Sequence, residues 1–122
     1  MMQIVVISIA GALGALSRYW ITSVVLSMEH FRFPVATLTI NVVGSFLMGI
    51  AYVIIVERLQ LSPEWRALFM TGFLGAFTTF STFSLEAVTL LQEGDGWTAL
   101  LYVVASVALG ILALWAGFSL AR

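Results

Sequence analysis

Apolar positions fall into four blocks, residues 4–26, 34–56, 67–91 and 97–120, with polar and charged positions collected in the short segments between them. Each block supplies the ~20 apolar residues that a helix needs to cross a hydrocarbon core of about 30 Å. No block alternates with period two over about ten residues, as a membrane β-strand would, and no internal repeat is evident. The pattern predicts an all-α integral membrane chain, a single four-helix transmembrane domain over residues 1–122.

The connecting segments carry matching punctuation. "EHFRFP" ends in Pro34, a residue suited to a first helical turn. In "ERLQLSPEW", Ser62, Pro63 and Glu64 offer an N-cap, an N1 proline and a first-turn acid. In "QEGDGW", Gly94 reads as a helix stop and Gly96 as a turn residue. Trp20, Tyr52, Trp65 and Trp97 lie towards span ends, where interfacial aromatics gather. The opening "MMQIVVISIAGALGAL" has no basic stretch and no Ala-x-Ala cleavage site, so it reads as a retained span.

Composition supports this picture and narrows the function. The chain is 61% hydrophobic and 9% charged, with a mean hydropathy of +1.10, far above the balance of a soluble domain. Five basic residues and a net charge of −1 leave no footprint for nucleic acid. The chain has no cysteine, which excludes disulfides and thiolate metal sites. His30, the lone histidine, sits beside Glu29 in a loop with no nucleophile at a suggestive spacing. It reads as a solvated residue, and an enzyme is not expected.

Charge barely votes on orientation. With the N-terminus inside, the inner side receives Arg58, Arg66 and Arg122, and the outer side receives Arg32, plus Arg18 if that residue reaches outward. The positive-inside rule needs a clear bias. Either other features decide orientation, or the chain inserts both ways and pairs antiparallel with itself.

Polar residues at membrane depth are the candidate chemistry. In the second span Thr37, Asn41 and Ser45 recur at i, i+4, i+8 and share a helix face. They read either as interhelical glue or, through the Asn41 amide, as a site. Tyr102, Ser106 and Gly110 repeat the spacing in the fourth span, where packing is the plainer reading. In the first span Gly11 and Gly14 lead to Arg18, which snorkels, holds a structural contact, or makes an aqueous mouth electropositive.

The third span holds "GFLGAFTTFSTFS", residues 72–84. Phe73, Phe77, Phe80 and Phe83 form a ring stripe, and Thr79, Thr82 and Glu86 form a polar stripe beside it. Glu86 is an acid well inside a span, which marks a functional candidate. Glycine and β-branched threonine in "GAFTT" weaken helix continuity. A broken helix at this depth is tolerated only inside protein or along a cavity, and its freed carbonyls can hold a small cation. Ring edges are positive, so edge-on phenylalanines with hydroxyls and the Asn41 amide can coordinate an anion.

"GALGALSRY", "TLTINVVGSFLMG" and "GFLGAFTTFSTFS", in that order on a four-span chain, resemble the Fluc (CrcB) family of fluoride channels. One departure is Ala10, where a second glycine often precedes Gly11. The resemblance implies a passive, fluoride-selective channel of the bacterial inner membrane. Fluoride that enters acidified cells as HF and is trapped in the cytoplasm leaves through it down its gradient. It further implies an antiparallel dual-topology homodimer with two pores and a structural sodium ion at its centre, surrounded by membrane lipid. By resemblance, the anion path falls on Asn41, Phe80, Phe83, Ser81, Thr82, Thr39, Tyr102 and Ser106. The sodium-binding carbonyls fall on Gly75 and Thr78, a vestibule on Arg18, and the other end of the polar track on Glu86. Thr39 stands about 160° from Asn41 on an ideal helix, so one pore face does not hold both. Two rivals remain: a small proton-coupled multidrug exporter, which needs an acid deep in its substrate chamber and finds none in the first span, and a non-transporting scaffold. Proton-coupled efflux of an organic cation marks the first, and liposomes that pass no ion mark the second.

Overall fold

The computed structural model of the chain describes residues 1–28 and 33–122. The expectations for Glu29, His30 and Arg32 fall outside them. Helix α1 spans Met2–Met28 and α2 spans Val35–Arg58. The third span is divided into α3, residues 63–77, and α4, Phe80–Gln92. Helix α5 spans Gly96–Ala121. The four spans are long and apolar enough to cross a membrane, and no strand occurs among the described residues.

The helix ends follow the local sequence, with two adjustments. Ser62 is extended ahead of Pro63 at N1, with Glu64 in the first turn, although the Ser62 hydroxyl makes no capping bond to the backbone. The third span therefore starts about a turn before residue 67. Gly94 takes φ +81°, the left-handed conformation that glycine adopts without steric cost. Gly96, expected in the turn, is instead the first residue of α5, because the Asp95 carboxylate caps this helix by accepting the Thr98 N–H at 3.3 Å. Two stretches, Tyr52–Arg58 of α2 and Ala67–Leu74 of α3, widen into π-helical turns.

Helix α2 packs most extensively against α5, and α1 against α3. Lipid offers no hydrophobic drive between helices, so close backbone approach must supply the contact. A Cβ on Gly49 would run into the Leu114 carbonyl, and one on Gly117 into the Phe46 carbonyl. A Cβ on Gly14 of α1 would likewise meet the Phe73 carbonyl of α3. At one end of the bundle Arg122 pairs with Glu57 at 3.1 Å and lies 4.0 Å over the Phe118 ring. Phe83, Leu90, Ala99 and Tyr102 form a buried cluster against Phe33, Leu38 and Ala87, and this cluster backs the site.

Candidate functional site: a helix break beside a groove

Helix α3 stops at Phe77. Thr78 (φ −82°, ψ 159°) and Thr79 (φ −149°, ψ 121°) are extended, and α4 begins at Phe80. The break thus falls at Thr78 and Thr79, just beyond Gly75–Phe77, which stay helical. Extended backbone at this depth leaves donors and acceptors that lipid cannot satisfy. Side chains from two neighbouring helices satisfy part of them. Asn41 of α2 donates its amide N–H to the Thr79 carbonyl at 2.9 Å, and its Oδ1 accepts the Thr79 N–H at 2.8 Å. Arg18 of α1 donates Nε–H to the Ala76 carbonyl at 3.2 Å. Thr79 Oγ1 caps α4 by accepting the Thr82 N–H at 3.2 Å.

These contacts depend on small residues one turn away. Gly14 brings α1 onto α3 four residues before Arg18. Gly44, three residues after Asn41, leaves room for the Thr78 methyl group, which a Cβ would strike.

Helices α2, α4 and α5 enclose a groove of about 520 Å³ lined by Asn41, Ser45, Phe80, Phe83, Ser106 and Gly110 among others. A smaller recess of about 240 Å³ shares Asn41, Ser45 and Phe80 and reaches Thr78 and Thr79. Four residues expected on an anion path, Asn41, Phe80, Phe83 and Ser106, therefore meet in one space. The Ser106 hydroxyl is buried with no hydrogen-bond partner among the described residues. The Phe80 and Phe83 rings lie 5.6 Å apart, tilted by 47°. They are not equivalent: Phe83 is 9% exposed and Phe80 is 78% exposed in the single chain.

Behind Phe83, Tyr102 is fully buried, with its ring 5.1 Å from Phe83 and 5.4 Å edge-on from Phe33. Its O–H donates to Glu86 Oε1 at 2.9 Å. Thr37, on the same helical face as Asn41, is buried and does not line the groove. Thr39 and Ser81 are exposed and also outside its lining. Ser45 and Gly110 had been noted only for their spacing, and the groove takes up both. Ala76 carries no signal in the sequence, since it acts through a backbone carbonyl.

The chain matches the family described as CrcB-like protein, camphor resistance (CrcB), over residues 5–118. It is 56% identical over 108 residues to the fluoride-specific ion channel FluC of Saccharophagus degradans, a match covering 88% of this chain and 80% of that one. It is 49% identical over 120 residues to the protein of the same name from Hahella chejuensis, covering 98% and 94%. With the one from Acidobacterium capsulatum it shares 47% over 111 residues, covering 91% and 89%. With four helices able to cross a membrane, a family match over residues 5–118 and relatives up to 56% identical over most of its length, the chain belongs to the CrcB-like family.

Proposed function

We propose that this chain is a passive fluoride-selective channel, through which cytoplasmic fluoride leaves a bacterium across its inner membrane. The observation that carries the reading is the groove in which the Asn41 amide, the Phe80 and Phe83 rings and the unpartnered Ser106 hydroxyl converge. Relatives that carry the fluoride-channel name favour it over an exporter or a scaffold.

The chemistry suits a small, strongly hydrated anion. Fluoride stripped of water needs replacement donors, because an unpaired buried charge costs many kcal/mol. A fixed positive charge at the centre would hold the ion too tightly, and conduction needs sites that are adequate yet weak. The groove lining offers only partial charges. Asn41 Oδ1 accepts from Thr79 N–H, which fixes the amide orientation. One N–H then goes to Thr79 and the second remains for the anion. Ring edges and hydroxyls supply further weak positive contacts. Thr82 and Tyr102 flank this path, Thr39 and Ser81 join it at other surfaces, Glu86 stands at one end, and Arg18 serves a vestibule.

The working unit is an antiparallel homodimer with two pores. Support comes from the near-balanced arginines and from Phe80, a large exposed ring at the groove, which a second copy would cover. A sodium ion suits the break between the copies. In an unbroken helix the Gly75 and Thr78 carbonyls accept from the N–H groups of residues 79 and 82. Here those two N–H groups go to Asn41 Oδ1 and Thr79 Oγ1. A bound sodium would supply positive charge to those two carbonyl oxygens. Efflux from fluoride-loaded proteoliposomes, read by a fluoride electrode with chloride as the control, tests the activity. Fast fluoride release with no chloride release is expected, and equal rates or none would refute the reading.

A further inference from the structure

We infer that Arg18 is a positioning residue for the cation-binding break: its hydrogen bond to the Ala76 carbonyl holds the end of α3 so that the Gly75 and Thr78 carbonyls are presented together. The inference rests on the sodium reading above and adds a residue to it.

Three observations carry it. The Arg18 Nε–H reaches Ala76, which lies between Gly75 and Thr78 in the chain, at 3.2 Å in a part-buried setting. The reach is built in, because Gly14, one turn earlier on α1, sits so close to α3 that a Cβ there would meet the carbonyl of Phe73 and crowd the N–H of Phe77. The guanidinium also stands at the C-terminal end of α3, where the helix dipole is negative and a cation is favoured. The donors of Thr78 and Thr79 at this end are already committed. Thr78 donates both its N–H, at 3.1 Å, and its Oγ1–H, at 3.0 Å, to the Leu74 carbonyl. Asn41 holds Thr79 from the other side. Arg18 and Asn41 thus grip the break from two different helices. A charge-assisted hydrogen bond is the stronger kind, and the planar guanidinium fixes its direction.

A bare electropositive vestibule makes a different prediction. In that case Arg18 affects only how readily fluoride arrives. Removing a positive charge near a cation site would, if anything, tighten sodium binding.

The test is thermal unfolding of the purified protein in detergent across a series of sodium concentrations, with N-methylglucamine holding ionic strength constant. A ligand that binds the folded state raises stability with its concentration, so the sodium midpoint reads the site without reference to transport. Arg18→Gln should raise that midpoint roughly tenfold, the size expected for a lost hydrogen bond to a charged group. Arg66→Gln, at an exposed arginine outside the site, should leave it unchanged. If Arg18→Gln does not assemble, Arg18→Lys serves, since it keeps the charge but loses the planar fork. Its midpoint should move in the same direction by a smaller factor. An unchanged or lowered midpoint in the Arg18 variants, beside a normal response of the unaltered protein, overturns the inference alone. If the unaltered protein shows no sodium response, the cation reading fails and the inference falls with it.

Discussion

Asn41 and Thr79 hold each other by two hydrogen bonds, the side-chain N–H to the backbone carbonyl at 2.9 Å and the backbone N–H to Oδ1 at 2.8 Å. The amide thus gives the Thr79 N–H the acceptor that Gly75 would have supplied in a continuous helix, and adds a second donor to the carbonyl of Thr79, the N-cap of α4. Only a side chain with one donor and one acceptor side by side can do this.

Asn41→Asp keeps the shape and the acceptor but turns the Thr79 carbonyl against a carboxylate. It also sets a like charge in the groove. At about 4 Å and an effective dielectric of 20, that repulsion is about 4 kcal/mol, on the order of a thousandfold in rate. Fluoride efflux from liposomes should fall by about that factor. Flux within tenfold of the unaltered protein would remove Asn41 from the path.

Phe83→Ile keeps most of the bulk and removes the ring quadrupole that faces Phe80 and Tyr102 at 5.6 and 5.1 Å. The lost ring pairs cost about 1 kcal/mol each in stability, which the fold should survive. Fluoride flux should nonetheless drop by orders of magnitude, with size-exclusion elution unchanged. Normal flux would mean that Phe83 is packing.

Tyr102→Phe leaves the buried ring in place but removes the donor to Glu86 Oε1. A hydrogen bond of this kind contributes about 0.5–1.5 kcal/mol, and a buried polar group left unsatisfied costs about 1–3 kcal/mol. The apparent unfolding temperature should fall by several degrees, while Thr98→Val, away from this pair, should leave the Tyr102–Glu86 contribution intact in a double-mutant cycle. An unchanged unfolding temperature in Tyr102→Phe would show the contact to be energetically idle.

Gly49→Ala and Gly117→Ala each force a Cβ into a carbonyl of the facing helix, Leu114 and Phe46 respectively. Overpacking of this kind costs about 1–3 kcal/mol, and here it separates α2 from α5, the two walls of the groove. Both variants should lose stability and flux. Gly11→Ala on α1 is the control, since its Cβ would meet only the Gly72 carbonyl oxygen at 3.9 Å, an ordinary contact outside the groove, and it should behave normally. Equal tolerance of all three would place the α2–α5 contact elsewhere.

Arginine balance predicts the pairing. Adding several lysines to one terminus should lock each copy in one orientation and abolish flux, and co-expression with an oppositely biased copy should restore it. A single-orientation population that conducts normally would end the antiparallel reading.

The four spans were determined by sequence alone, because lipid admits backbone only as helix or closed barrel and hydropathy of this length leaves the helix. The weakness of the third span was also legible, in glycine and threonine side by side. The break falls inside that segment, but its exact residues were not legible: Gly75–Phe77 stay helical and Thr78 and Thr79 are extended, where Asn41 from another helix takes the Thr79 N–H. Likewise Arg18 had three open readings in the sequence. Its partner is a backbone carbonyl on α3, and reaching it depends on how closely Gly14 lets α1 approach. Phe80 and Phe83, alike in spacing, were separated by the fold, since α5 brings Tyr102 against one ring and leaves the other exposed. Hydropathy and propensity act along the chain, within a few residues. Which carbonyl is met, and which ring is covered, depends on distances between helices far apart in sequence, and only tertiary packing sets those.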